Sequence, residues 1–350
     1  MKLLNSDGSA KELVNGKYPA KVLNISHTDL DGVLSTICVE ETFTDVTVHH
    51  VGYGYGLTQL VKKLREFPDQ LNQYDLIIMT DISLPQADFA IIMETFQIAK
   101  FAGSWVFLDH HEASKQLHNP ENNMFVTMKE SGCMMTWNYL SRGFGVDLDH
   151  LKEAIKYGND YDLWIHKFKQ SKHIQYILDF YTAESLQGGL KAFRKTYAKG
   201  ISYKNLSKTE LKIINKKIEM LDREWNTLNV EQIDGTKIAF TMVKGDLNNE
   251  MADRILNEKS FDIDLVINFY ANGTGGSIRG SDRVDGLNIA KMFKAMGDGN
   301  VTGGGHKLAA GFKLKNLGYN EPINSKLIKL KPELDHMVKL FCSAWPALRQ

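Results

Sequence analysis

The stretch AKVLNISHTDLDGVLSTICVEETF, Ala20 to Phe43, decides the reading of the fold. AKVLNIS is short and rich in branched apolar residues, as a strand is. GVLSTICVEETF carries apolar residues at helical spacing. Between them stands a polar strand end. The same alternation then repeats along the chain: DVTVHHV, LTQLVKKLREF, YDLIIMTDI, QADFAIIMETFQIAK and SWVFLDH read as strand, helix, strand, helix and strand. Nearly continuous apolar strands separated by helices predict a parallel sheet with helices on both faces.

Further on the pattern changes. SGCMMTWNYL, DHLKEAIKYG and KTELKIINKKIEMLDREW have apolar residues three and four apart, which predicts helices. Strands return with TKIAFTMV, FDIDLVINFY and GTGGSIRGS, followed by a helix, NIAKMFKAMG, a glycine-rich turn, TGGGHKLAAG, and a last strand, FKL. The expected architecture is α/β throughout. An N-terminal extension (1–20) leads into a parallel-sheet domain (21–165), a helical connector (166–232) and a smaller α/β domain (233–350).

The 42 basic and 42 acidic residues cancel, so a nucleic-acid partner would have to meet a local basic surface. One candidate is Gln187–Lys217, with nine Lys or Arg against a single acidic residue, Glu210. It reads either as a solvated helix face or as a contact surface for a phosphate backbone. Cys38, Cys133 and Cys342 are scattered, which favours a reducing compartment and argues against a zinc-thiolate site. The N-terminus lacks the apolar core of a signal peptide, and no stretch approaches the ~20 apolar residues of a membrane span. A cytoplasmic protein that does not contact the membrane is expected.

In open α/β sheets ligands gather where the strands end. The first strand ends in SHTDLDG, with His27, Asp29 and Asp31 at alternate positions. In an extended segment these project to one side. Asp31 can also be read as the N-cap of the helix starting near Gly32, which leaves His27 and Asp29 unexplained. Asp81 follows an apolar strand and needs a cation, a donor or water. Asp109, His110 and His111 close a third strand, and Asp160 and Asp162 lie in YGNDYDLW, from which one can reach back over the sheet. Carboxylates and imidazoles without thiolate suit Mn²⁺, Co²⁺ or Mg²⁺. A shared aspartate can bridge two such ions, and the chemistry implied is phosphoester hydrolysis. Farther along, Arg279 stands between glycines, and Gly303, Gly304 and Gly305 precede His306. These suit a phosphate clamp, with the apolar segment after them opening a helix whose N-terminus favours anions.

The ordered motifs resemble the DHH phosphoesterase family with its DHH-associated C-terminal domain. The likeness covers most of the chain: SHTDLDG, Asp81, LDHH and GNDYD look like the four catalytic motifs, and GSIRG with TGGGHKLAAG like the two C-terminal signatures. Within the family the arrangement is most similar to the short-oligonucleotide nano-RNases of the NrnB type. The first histidine departs from the commoner spacing: Ile25 occupies the position four before Asp29, and His27 stands two before it.

The resemblance implies that Asp29, Asp31, Asp81, His110 and Asp160 ligate two Mn²⁺-like ions, with Asp81 bridging and His27 completing the first ion. It implies that His111 faces the phosphate, and that Arg279 and His306 bind the substrate's phosphate or terminal nucleotide, beside the glycines. The expected activity is exonucleolytic hydrolysis of short RNA or single-stranded DNA to 5′-mononucleotides. The alternative is a phosphodiesterase of cyclic or linear dinucleotides or of pAp. A homodimer would need an apolar patch that periodicity does not locate.

Overall fold

The structure is a computed structural model and describes residues 12–52, 55–203, 206–224, 228–233, 235–243, 247–257, 262–270, 275–281, 284, 301–305 and 309–314. The chain divides into two compact units, Met1–Ile214 and Asn215–Gln350.

In the first unit the strands are β1 (Tyr18–His27), β2 (Phe43–Val51), β3 (Leu76–Thr80), β4 (Ser104–Asp109) and β5 (Met124–Val126). They form one sheet in the order β2-β1-β3-β4-β5, parallel throughout. Helices α1 (Leu30–Thr42), α2 (Tyr55–Glu66) and α3 (Gln86–Ile98) alternate with the first four strands. The short edge strand β5 carries too few residues for its alternation to stand out in the sequence.

The two-residue period of β1 sorts its side chains between the two faces. Leu23 and Ile25 join Ile77, Met79 and Phe107 in a core with Leu57, Leu60 and Val61 of α2 and Ile92 and Phe96 of α3. Asn24 and Ser26 face α1 instead. Thr36 Oγ1 donates to Asn24 Oδ1 at 2.7 Å, and Ser26 Oγ donates to the Gly32 carbonyl at 2.8 Å. Thr80 Oγ1 donates in turn to Ser26 Oγ. This buried chain of hydroxyls ties the ends of β1 and β3 to the first turn of α1.

Helices α4 (Gly132–Phe144), α5 (Lys152–Asp162), α6 (Lys169–Thr182) and α7 (Leu186–Tyr197) complete the unit, and α8 (Lys208–Glu224) crosses the boundary between units. The basic stretch is partly neutralised by α1. Arg194 Nε lies 3.1 Å from Glu40, Lys199 Nζ lies 3.0 Å from Glu41, and Lys217 is buried. No helix among the described residues is long and apolar enough to cross a membrane.

The second unit contains β6 (Asn229–Ile233), β7 (Thr236–Val243), α9 (Asn248–Asn257), β8 (Leu265–Tyr270), β9 (Gly275–Gly280), β10 (Val301–Gly305) and β11 (Ala309–Leu314). The strands form a mixed sheet in the order β10-β11-β9-β8-β7-β6. Two expectations are corrected. Asn229 to Gln232, expected inside the helical connector, belong to strand β6, paired antiparallel with β7. The triple glycine is not a turn before a helix: Gly303–Gly305 are strand β10, paired antiparallel with β11. Glycines lack the side chain that would reveal strand alternation, and backbone pairing across the sheet decides their conformation. The segment NIAKMFKAMG, His306 and Cys342 lie outside the described residues.

Candidate metal centre

Parallel pairing brings the carboxyl ends of β1, β3 and β4 side by side. Ser26 is opposite Thr80, and Thr80 is opposite Leu108. The residues that follow, His27, Asp81 and Asp109, therefore share one edge. At that edge His27, Asp29, Asp31, Asp81, His110 and His111 come together.

The route by which the first three converge differs from simple alternation. The strand stops at His27, and the chain turns directly into α1. Asp29 is the N-cap, its carboxylate accepting from Gly32 N–H at 3.1 Å. Asp31 lies in the first helical turn rather than at the cap. Its buried carboxylate accepts from the N–H groups of Gly132 and Cys133, at 2.6 and 2.9 Å. The amides opening α4, which have no partner within their own helix, thus hold Asp31.

Asp81 has a backbone φ of +54°, in the left-handed region uncommon for residues other than glycine. Its N–H donates to the Leu108 carbonyl. The side chain is fully buried, and among the described residues neither of its carboxylate oxygens has a hydrogen-bond partner. His110 Nε2 lies 3.3 Å from Asp81 Oδ1, 3.2 Å from Asp162 Oδ2 and 3.8 Å from Asp31 Oδ2. His111 Nδ1 donates to Asp109 Oδ1 at 2.8 Å. His27 Nδ1 lies 2.7 Å from Asp29 Oδ2.

Asp160 is corrected. Its carboxylate accepts from Lys167 N–H and Phe168 N–H, at 3.0 and 3.1 Å, and from the Ser171 hydroxyl. It anchors the start of α6, and Asp162 takes the place beside His110. Positions two apart on a helix differ by about 200°, so the two aspartates of GNDYD cannot share a face. The motif holds both aspartates, and only the helical direction selects which of them lies beside His110.

Three sets of side chains have ligand atoms all within 4.8 Å of one another: His27, Asp29 and Asp81; Asp81, His110 and His111; and Asp31, His110 and Asp162. Asp81 belongs to two of them. Burial, together with the charges of Asp29, Asp31, Asp162 and Asp109, pushes the Asp81 carboxyl well above the usual carboxylate range. Asp162 is raised by burial and by Asp31, Asp29 and Asp109. Burial lowers His110. Burial also opposes the charged form of His111, but the hydrogen bond and charge of Asp109 outweigh it and raise this histidine.

Every ion pair these carboxylates make among the described residues is to a histidine. Both oxygens of Asp81, Oδ2 of Asp109 and Oδ2 of Asp162 are buried with no hydrogen-bond donor among the described residues, and carboxylates that repel one another there call for positive charge. The donor set fits hard or borderline divalent cations, and the cluster supports divalent metal use.

Arg279 lies on β9 of the second unit, where it donates to the Ile278 carbonyl and to Asn249 Oδ1. A comparison with family models covers this part of the chain. Residues 235–339 match the DHHA1 domain. The DHHA1 match includes Arg279, Gly303, Gly304, Gly305 and His306. No curated protein matches the sequence.

Solved structures share the fold across both units. RecJ from Thermus thermophilus, in complex with Mn²⁺, aligns with 93% of this chain at 12% identity and a TM-score of 0.54. The alignment takes in 52% of that protein, so this chain spans about half its length. An exonuclease RecJ bound to manganese aligns with 93% of this chain and 90% of its own, at 14% identity and a TM-score of 0.50. PggH from Vibrio cholerae, a pGpG-specific phosphodiesterase, aligns with 93% of this chain and 99% of its own, at 12% identity and a TM-score of 0.50. At these identities the likeness is one of fold.

Proposed function

We propose that the protein is a two-metal phosphodiesterase that hydrolyses short RNA or single-stranded DNA exonucleolytically to 5′-mononucleotides in the cytoplasm. The observation that carries this reading is Asp81: fully buried, with no donor to either oxygen among the described residues, and shared by two ligand sets.

His27, Asp29 and Asp81 would hold one ion, and His110 with Asp31 and Asp162 the other; Asp81, which also groups with His110 and His111, would serve both. Bound divalent ions, Mn²⁺ first among them, supply Lewis acidity and neutralise charge developing at phosphorus. The chain's own residues do the rest. Asp109 fixes His111 through Nδ1 and so orients the imidazole as a proton donor toward a phosphoryl or leaving oxygen. The amides of Gly132 and Cys133 hold Asp31, so its carboxylate needs no reorientation on binding. Arg279, Gly303, Gly304, Gly305 and His306 are the substrate-binding residues of this reading, supported by the DHHA1 match. Residues 21–165 then form the catalytic domain, 166–232 the connector and 233–350 the substrate domain.

A second reading, hydrolysis of linear or cyclic dinucleotides or of pAp, is supported by the fold shared along nearly the whole length of PggH. The deciding experiment incubates the protein and Mn²⁺ with a ladder of short labelled RNA and DNA chains, beside linear dinucleotides, cyclic di-AMP and pAp. Oligonucleotides should turn over fastest. Faster turnover of cyclic di-AMP than of every oligonucleotide would overturn the first reading.

A further inference from the structure

The segment after Asp162 is built at conformational cost. Helix α5 ends there, and the chain bends sharply. Trp164 N–H donates to the Tyr161 carbonyl, while Ile165 and His166 N–H both donate to the Asp160 carbonyl. Trp164 has φ +58° and His166 φ +50°. A bulky residue such as Trp164 is an outlier in the left-handed region and persists there only where its surroundings enforce it. Asp160 is that constraint, since its carboxylate takes the next two amides, of Lys167 and Phe168.

The bend gathers three rings. The His166 ring centroid lies 4.2 Å from that of Trp164, at an interplanar angle of 47°, and 5.6 Å from that of Tyr161, at 32°. All three side chains are half-buried, and Ile165 between them is exposed. A fully covered aromatic cluster could serve only the core. This one keeps part of its surface open, two residues beyond a carboxylate of the candidate metal centre.

We propose that Trp164 and His166, with Tyr161 beside them, form a stacking shelf for a nucleobase of the substrate. The proposal rests on the reading of the cluster as a site for nucleotide phosphoesters, and names what recognises the part of the nucleotide that the carboxylates and histidines do not. Every nucleobase offers a π-face, so such a shelf binds without strong sequence preference. The Asp160 hydrogen bonds that hold the bend and the contacts between the rings pre-set the shelf, which reduces the ordering cost on binding.

The test is equilibrium binding, which does not depend on turnover. A short phosphorothioate RNA is titrated beside the same chain with abasic residues, against the wild type, Trp164→Ala, Trp164→Leu and Trp164→Phe. The wild type should bind the base-containing chain more tightly. Trp164→Ala should weaken that binding about tenfold or more and leave abasic binding unchanged. Trp164→Leu, which keeps apolar bulk without the ring, should behave like Ala if Ala does not fold, and Trp164→Phe should restore most of the affinity. Equal losses for both chains, absence of base preference in the wild type, or no binding of either chain would overturn the shelf. Base-dependent binding that needs Trp164, without turnover of any oligonucleotide or dinucleotide, would uphold the shelf and defeat the phosphodiesterase reading alone.

Discussion

The amide of Gly132 donates to Asp31 Oδ2 across 2.6 Å, so the N-terminus of one helix holds a carboxylate from the first turn of another. A Cβ at position 132 would lie 2.6 Å from Asp81 Cβ and 2.8 Å from Asp31 Oδ2. The close approach requires glycine. Gly132→Ala should therefore destabilise the protein by about 1–3 kcal/mol and weaken Mn²⁺ binding. Thermal unfolding and metal titration check both, and wild-type values for the two would show that the helix end is not what positions Asp31.

Asp160 and Asp162 should give opposite signatures. Asp160→Asn replaces an acceptor of three hydrogen bonds and should cost about 1–3 kcal/mol, seen in denaturant unfolding. Asp162→Asn removes one of several repelling carboxylates. It should leave the metal-free protein as stable or more so, while lowering metal affinity and turnover.

The Asp162 effect should also depend on pH. Its folded carboxyl is raised by burial and by neighbouring aspartates. A raised pKa contributes stability below the unfolded value, near ~4, and loses it as pH rises through the folded value. Without metal, Asp162→Asn should match the wild type in strong acid and become progressively the more stable as pH rises. Melting temperatures of the two proteins compared across pH measure this.

His50 works in the other direction. Burial, and then the charge of Arg194, pushes it down to about 4, while its Nδ1–H donates to the His27 carbonyl. The folded state favours neutral imidazole, so stability is lost as pH falls from the unfolded value near ~6.5 toward the folded one. His50→Gln should flatten the stability profile across that window, as read by unfolding at successive pH values.

Against the opposing effect of burial, the hydrogen bond and charge of Asp109 raise His111 above the ordinary imidazole range. Asp109→Asn should lower kcat and move the alkaline limb of the rate profile to lower pH. The profile of kcat against pH checks this. An unmoved limb would remove His111 from proton transfer in the proposed reaction.

Much of the first sheet could be read from pattern, because buried parallel strands such as Leu76–Thr80 are nearly uniform in apolar character and the helices between them are long. The convergence of His27, Asp29, Asp31, Asp81, His110 and His111 followed from the rule that parallel strands end together. The shorter or blander elements could not be read this way. Met124–Val126 shows too few residues for a period, and Gly303–Gly305 shows no side chains at all.

The single sequence determined the residue types at the strand ends and, through apolar periodicity, the edge at which they meet. Only the tertiary structure decided which of two aspartates in GNDYD faces that edge, and that the amides of Gly132 and Cys133, about a hundred residues away, hold Asp31. The physical reason is range. Periodicity records which face of its own element a residue occupies, whereas the direction of a helix and the identity of a buried donor depend on packing between segments distant in sequence.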